Sequence, residues 1–239
     1  MFGKNPVMKQ LEAATGFYLV KEIFPTIQGE GPLAGLPATF VRLGGCNLRC
    51  HFCDTDFSTE TSIPMAREEV IDRCETLDND LIVITGGEPL LQRIESLAWY
   101  LMERGFKVQV ETAGTVELID PFKGPYGKED FTLVVSPKTA NLHPTIVSQA
   151  DAYKYIIKAG CSDPADGLPL LNTQDLNRKP VRLARPPEGF DVREIYLQPM
   201  DETHIGPDCT KANVDEAVRI SMKHGYRLSL QLHKILQLP

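Results

Sequence analysis

The sequence is short of cysteine, of basic residues and of long apolar stretches. Its 239 residues include only six cysteines, too few for a disulfide-stapled scaffold of this length. The longest apolar runs, such as 81–84, are far below the roughly 18 residues of a membrane-spanning helix. Lys and Arg number 25 against 32 Asp and Glu, a formal net charge of −7, whereas nucleic-acid phosphates need a basic surface. These shortages argue against secreted disulfide scaffolds, membrane proteins and non-specific nucleic-acid binders.

The remaining composition is typical of a soluble globular protein, with 42% hydrophobic and 24% charged residues. The first 30 residues lack the apolar stretch of a secretory signal, so we expect a cytoplasmic protein with reduced thiols. The length fits one large domain. We expect residues 1–16 to form a flexible lead-in and residues 17–239 to form a single domain.

Short apolar runs alternate with helical patterns in the first half of the chain. This alternation predicts an α/β fold with a mainly parallel sheet. We expect strands at 17–24, 38–43, 81–85, 107–112, 131–136, 152–157, 194–197 and 227–232. We expect helices at 68–77, 90–104 and 213–223. Helices are fewer than strands, which argues against a complete eight-fold barrel.

Three of the six cysteines, Cys46, Cys50 and Cys53, lie within eight residues on a loop after a predicted strand. Their thiolates can converge on one soft metal centre. A structural zinc site and an electron-transfer iron–sulfur cluster each use four protein ligands, whereas this motif supplies three. A [4Fe–4S] cluster bound by these cysteines would leave one iron open to a small molecule.

The alternative is zinc with His51 or a remote cysteine as the fourth ligand. His51 is adjacent to Cys50, which makes joint ligation by both residues awkward. We expect the remote cysteines, Cys74, Cys161 and Cys209, to be structural thiols, with Cys74 on the apolar face of a helix.

The spacing Cys-x3-Cys-x2-Cys, with the aromatic Phe52 before the last cysteine, resembles the radical S-adenosylmethionine superfamily. The resemblance implies a [4Fe–4S] cluster whose open iron binds the amino and carboxylate groups of S-adenosylmethionine. It also implies that one-electron reduction releases a 5′-deoxyadenosyl radical, which abstracts a substrate hydrogen atom. No protein side chain is then expected to act as the catalytic group.

Polar or glycine-rich motifs follow several predicted strands, as a cofactor pocket at one sheet edge requires. Each motif could singly be a solvated turn, but their repeated position favours a pocket. By resemblance, the residues that line it are Phe52, Asp54, Gly86, Gly87, Glu88, Gly114, Ser136, Pro137, Lys138, Gln198, Pro199, Met200 and Asp201.

Four further stretches narrow the resemblance to the 7-carboxy-7-deazaguanine synthase family: 26–31, Arg42, 53–55 and 111–115. That family converts 6-carboxy-5,6,7,8-tetrahydropterin into 7-carboxy-7-deazaguanine with loss of ammonia, on the route to queuosine and other 7-deazapurines. The resemblance implies a partial, shortened (β/α) barrel with about six mainly parallel strands and few helices. It also implies a homodimer, a Mg²⁺ ion, regenerated S-adenosylmethionine and a flavodoxin-type or other electron donor.

The resemblance also assigns a substrate site and the protein ligand of Mg²⁺, Thr55. The implied substrate ligands are Ile27, Gln28, Gly29, Glu30, Arg42, Thr112, His233 and Pro239. The Arg42 guanidinium can bind a carboxylate through two hydrogen bonds, and Glu30 can accept hydrogen bonds from the pyrimidinone edge of the substrate. Alternatively, Arg42 could be a surface ion pair and Thr55 only a turn cap.

Two other classes of protein share parts of this pattern. A glycyl-radical-activating enzyme has the same cysteine spacing, but it needs a protein partner and gives no role to the 26–31 loop. A non-enzymatic zinc or electron-transfer module would account for the cysteines alone. Iron and sulfide content of anaerobically purified protein separates the zinc module from the iron–sulfur enzymes.

Overall fold

The computed structural model describes residues 6–8, 16–53, 55–119, 130–171 and 182–238. Within these residues one open sheet of nine strands organises the chain, in the order β3-β1-β2-β4-β5-β6-β7-β8-β9. β1 pairs antiparallel with β2 and β3, and every other neighbouring pair is parallel. The strands are β1 (Phe17–Ile27), β2 (Pro37–Leu43), β3 (Ile63–Ala66), β4 (Leu81–Gly86), β5 (Lys107–Thr112), β6 (Phe131–Val135), β7 (Ala152–Ile157), β8 (Ile195–Pro199) and β9 (Arg227–Leu228).

Helices are few and three of them are long enough to cover the sheet. The α-helices of the described residues are α1 (Arg67–Leu77), α2 (Glu95–Glu103), α3 (Pro144–Val147), α4 (Pro207–His224) and α5 (Leu232–Leu236). α4 ends at Gly225, whose left-handed backbone closes the last turn. None of these helices is both long and apolar enough to cross a lipid bilayer.

The two faces of the parallel sheet bury different kinds of side chain. One face packs against α1, α2 and α4 in the main core, with side chains such as Ile82, Val110 and Leu133 completely buried. The other face has two small apolar clusters, around Val83 and Val134. Polar side chains follow on the same face towards the carboxyl ends of the strands. The sheet therefore opens a polar surface at that edge, where a site can form.

Most of the predicted elements are present, and the sheet is mainly parallel with few helices as expected. The prediction of a strand at 227–232 is wrong beyond its first two residues, because the chain turns into α5. The Ser229 hydroxyl accepts a hydrogen bond from the Gly31 N–H at 2.9 Å, and Gln231 precedes α5. The short β3 was not predicted, and the predicted helix at 90–104 is shortened to α2 after a 3-10 turn, Pro89–Gln92.

Part of the predicted N-terminal lead-in contacts the cysteine loop. The Met8 N–H donates to the Cys46 carbonyl at 2.8 Å, and Val7 forms a parallel bridge with Cys46. The lead-in residues 1–5 and 9–15 lie outside the described residues.

Candidate functional site

Two adjoining cavities lie at the carboxyl ends of the parallel strands. The first has a volume of about 330 Å³ and contains the three clustered cysteines in its wall. The second has a volume of about 350 Å³ and lies beside β1 and β2. Their common wall consists of Glu30, Thr55, Phe57, Thr85, Gly86, Glu111 and Gln231. Two ligands placed in these cavities would therefore be neighbours.

The cysteine loop follows β2 and contributes Cys46, Cys50 and Cys53 to the first cavity. The Cys46 sulfur accepts a hydrogen bond from the Leu48 N–H at 3.4 Å, and the Cys53 N–H donates to the Cys50 carbonyl at 3.2 Å. Burial raises the pKa of the Cys46 thiol to about 12. In the described parts of the chain, no three Cys, His, Asp or Glu side chains meet closely enough to hold a metal ion.

The donor set fits an iron–sulfur cluster bound by three thiols. The three sulfur-bearing residues share the wall of one cavity, and metal binding deprotonates thiols and orders the segments that carry them. Cys74 is fully buried in the main core on the other side of the sheet. Among the described residues, neither Cys161 nor Cys209 lines the cavity, and neither does His51. These positions offer no fourth ligand for the zinc alternative.

The glycine-rich motif after β4 reaches the cavity through its glycines. Gly86 and Gly87 line it, whereas Glu88 does not. A Cβ atom at Gly87 would lie 2.1 Å from the Gly45 carbonyl oxygen, so this close approach of two backbones requires glycine. The motif is thus packed directly against the root of the cysteine loop.

The predicted cofactor residues after β6 and β8 divide in the same way. Those that line the first cavity, together with Phe52 of the cysteine loop, are Ser136, Lys138, Gln198, Met200 and Asp201. Pro137, Pro199 and Gly114 do not line it. Asp54 lies outside the described residues.

Lys138 is a charged side chain in the wall of the first cavity. Its ammonium donates to the Ser136 carbonyl at 3.0 Å and to the Ser136 hydroxyl. Burial lowers the pKa of Lys138 to about 8, because the charged form is poorly solvated there. A negatively charged group in the cavity would stabilise this ammonium.

The second cavity collects most of the predicted substrate ligands. Gln28, Glu30, Arg42 and His233 line it. Gly29 lies behind His233, because a Cβ atom at this position would be 2.3 Å from the His233 Nδ1 atom. Of the other predicted ligands, Ile27 lines neither cavity, Thr112 lines the first rather than the second, and Pro239 lies outside the described residues.

Arg42 belongs to β2 and lines the second cavity. Its guanidinium forms a salt bridge with Glu22 and lies 5.1 Å from the centre of the Phe24 ring. Glu22 is 46% exposed, so this ion pair is solvent-screened and weak. A carboxylate in the cavity can therefore compete with Glu22 for the guanidinium.

Thr55 lines both cavities. Its backbone carbonyl accepts a weak hydrogen bond from the Cys53 thiol at 3.7 Å. A hydroxyl at the junction between two ligand cavities is a suitable single protein ligand for Mg²⁺, which keeps water and ligand oxygens in its shell.

A buried ion network, which the sequence analysis did not identify, crosses the common wall. The Lys154 ammonium pairs with the Glu30 carboxylate and, at 3.1 Å, with Glu111. Glu111 also accepts from the amides of Gln28 at 3.0 Å and Gln109 at 2.9 Å. A lysine within the apolar stretch of β7 was the available signal, because a charge on a buried strand needs a partner.

Charge pairing sets the ionisation of this network. Burial alone would raise the pKa of Glu30, but the ammonium and hydrogen bond of Lys154 outweigh it and lower the pKa. Burial would likewise lower the pKa of Lys154, yet Glu111 and Glu30 raise it above its usual range. Both shifts favour the charged forms, so Glu30 and Lys154 form an ion pair at neutral pH.

Comparisons with known proteins identify relatives along the whole chain. Residues 40–141 match the radical SAM superfamily. A 7-carboxy-7-deazaguanine synthase from Rhodospirillum rubrum is 44% identical and covers 100% of both chains. One from Rickettsia prowazekii is 34% identical over 99% of this chain and 95% of its own. The crystal structure of QueE from Escherichia coli shares the fold, with a TM-score of 0.62 and 23% identity over 90% of this chain and 94% of that one.

Proposed function

Because the chain belongs to the 7-carboxy-7-deazaguanine synthases, which are radical S-adenosylmethionine enzymes, we propose that it converts 6-carboxy-5,6,7,8-tetrahydropterin into 7-carboxy-7-deazaguanine with loss of ammonia. The observation that carries this proposal is the pair of adjoining cavities with a common wall. One cavity has the thiols that a cluster needs, and the other has the Arg42 guanidinium, which can bind a pterin carboxylate.

The first cavity is the proposed site of the cluster and of S-adenosylmethionine. Cys46, Cys50 and Cys53 would hold a [4Fe–4S] cluster with one open iron. The cluster and S-adenosylmethionine together supply the radical chemistry, and the protein supplies binding and orientation. Gly86, Gly87, Ser136, Lys138 and Gln198 line this cavity and would contact S-adenosylmethionine.

The second cavity is the proposed site of the pterin. The substituents of the pterin match the residues that line this cavity. Arg42 can bind the carboxylate through a bidentate pair of hydrogen bonds. Glu30, held by Lys154 and by the Gln231 amide at 2.9 Å, can accept from ring N–H groups with its remaining lone pairs. Gln28 and His233 offer further polar contacts. The fixed ion network would keep these groups oriented before the substrate arrives.

The metal ion and the partners complete the proposal. Thr55 is the proposed side-chain ligand of Mg²⁺, because it lies between the two cavities and because Mg²⁺ tolerates a shell made mostly of water and substrate oxygens. We further propose a homodimer and a flavodoxin-type or comparable electron donor, by analogy with the family.

The test is turnover by anaerobically reconstituted protein given S-adenosylmethionine, a reductant, Mg²⁺ and the carboxytetrahydropterin. We expect a deazaguanine product, detected by its mass and absorbance, from the native chain and none from Cys53→Ala. The matched control is Cys161→Ala, which lies outside both cavities and should keep activity. Cleavage of S-adenosylmethionine without any deazaguanine product would contradict the proposed substrate.

A further inference from the structure

Glu88 is a buried acidic side chain in the wall of the candidate site that does not face either cavity. Its exposed fraction is 0%, while the neighbouring Gly86 and Gly87 line the first cavity. Burying a carboxylate is costly unless it is well hydrogen-bonded. The position of Glu88 therefore calls for a role other than contact with a ligand.

The Glu88 carboxylate bridges the ends of two neighbouring strands. Its Oε1 atom accepts from the Thr112 hydroxyl at 2.7 Å and from the Leu90 N–H at 3.2 Å. Its Oε2 atom accepts from the Ala113 N–H at 2.8 Å. The Thr112 hydroxyl in turn accepts from the Gly114 N–H at 2.9 Å. The segment after β5 is thus fixed to the segment after β4 by hydrogen bonds to one side chain.

The backbone of the same residue is attached to the cysteine loop. The Glu88 N–H donates to the Gly45 carbonyl at 3.0 Å, and the Gly87 N–H donates to the Leu43 carbonyl at 3.2 Å. Gly45 immediately precedes Cys46. Glu88 therefore joins three walls of the first cavity: the root of the cysteine loop, the glycines after β4, and Thr112–Ala113 after β5.

The geometry assigns Glu88 as a positioning residue for S-adenosylmethionine, an assignment that rests on the proposed function. Its carboxylate fixes the relative placement of the three walls, so that the cofactor meets a preformed site and less ordering accompanies binding. The residue acts through Thr112 and Ala113 and does not itself touch the cofactor.

The test measures S-adenosylmethionine binding to substrate-free, reconstituted holoenzyme by calorimetry, so no turnover is required. In Glu88→Gln the side-chain amide oxygen can still accept a hydrogen bond from the Thr112 hydroxyl. The side-chain NH₂ group would face the Ala113 N–H, and two donors cannot form a hydrogen bond with each other. We expect up to about tenfold weaker binding, the size associated with losing one net hydrogen bond. Iron content should match the native protein.

A second variant keeps the test decisive if Glu88→Gln folds poorly. Thr112→Val removes the hydroxyl that donates to Glu88 and should bind S-adenosylmethionine several-fold more weakly. Because Glu88 and Thr112 act as one unit, the double variant Glu88→Gln/Thr112→Val should bind about as weakly as the worse single variant.

The possible outcomes distinguish the proposed function from the positioning role of Glu88. Native holoenzyme that does not bind S-adenosylmethionine would overturn the proposed function and this assignment with it. If the native protein binds S-adenosylmethionine and both Glu88→Gln and Thr112→Val bind it equally well, only the positioning role is overturned. The positioning role would also be overturned if Thr112→Val lost iron in parallel with its affinity for S-adenosylmethionine. The hydrogen bond between Thr112 and Glu88 would then support the cysteine loop as a whole rather than the cofactor site.

Discussion

Removing the Lys154 ammonium is expected to destabilise the protein strongly, and more at neutral than at acidic pH. Lys154 is only 7% exposed and pairs with Glu30 and Glu111, which are 14% and 18% exposed. Lys154→Met keeps most of the side-chain volume and deletes the charge. Two carboxylates would then lie buried near each other without their common cation, a change that typically costs about 3–5 kcal/mol.

The remaining donors place the expected cost at the lower end of that range. Glu30 keeps the Gln231 amide, and Glu111 keeps the amides of Gln28 and Gln109. A cost of about 3 kcal/mol corresponds to a fall in Tm of roughly 6–12 °C for a chain of this size. Lys211→Met is the matched control, because Lys211 and its partner Asp215 are 71% and 63% exposed. That pair should contribute about 0–1 kcal/mol.

The pH dependence follows from the direction of the Glu30 pKa shift. In the native protein Lys154 lowers the pKa of Glu30, so the stabilisation is present above the usual glutamate pKa and is lost as the pH falls through the lowered value. In Lys154→Met, burial dominates and the folded-state pKa rises above the unfolded value. The destabilisation is then largest at neutral pH and shrinks as the carboxylate takes up a proton.

Calorimetric unfolding of both variants and the native protein, at neutral and mildly acidic pH, measures these differences. The Tm of Lys154→Met should approach that of the native protein on acidification, while the Tm of Lys211→Met should stay close to the native value throughout. A fall in Tm for Lys154→Met no larger than that for Lys211→Met, or one independent of pH, would refute the claim that Lys154 stabilises buried carboxylates.

Three further changes test the site directly. Cys50→Ala should remove most of the iron and all turnover, whereas Cys161→Ala should retain the iron measured by colorimetric analysis; equal losses would contradict a three-cysteine ligand set. Thr55→Ala should raise the Mg²⁺ concentration needed for half-maximal turnover with an unchanged cluster spectrum, and an unchanged Mg²⁺ dependence would exclude Thr55 as a ligand. Arg42→Gln should weaken pterin binding by about tenfold or more, while Glu22→Gln should not; equal pterin affinity in Arg42→Gln would remove Arg42 from the substrate site.

The sheet and many of the residues that line the first cavity could be predicted because their signals are local. Short apolar runs such as β4 mark strands covered on both faces, and the motifs after them necessarily meet at one sheet edge. The spacing of the cysteine loop likewise indicated that its three cysteines would lie together, and all three line the first cavity. Local patterns thus located the first cavity before any tertiary contact was known.

The parts that could not be predicted depend on contacts between distant residues. Lys154 meets Glu111 across 43 positions of sequence, and no local pattern connects them. The early end of the last strand depends on the hydrogen bond between Gly31 and Ser229, 198 positions apart, and on Gln231 reaching Glu30. Glu88 belonged to a motif that predicted cofactor contact, and only its tertiary hydrogen bonds reveal that the side chain points into the wall.

The adjacency of the two cavities is the central claim, and isotope transfer between their proposed ligands tests it most directly. The measurement uses carboxytetrahydropterin deuterated on its saturated ring carbons, incubated with reconstituted enzyme, reductant, Mg²⁺ and unlabelled S-adenosylmethionine. Mass spectrometry of the recovered S-adenosylmethionine should show incorporated deuterium, because the two ligands would react across the common wall. Deazaguanine formation with no deuterium in the recovered S-adenosylmethionine or its cleavage products would contradict the account.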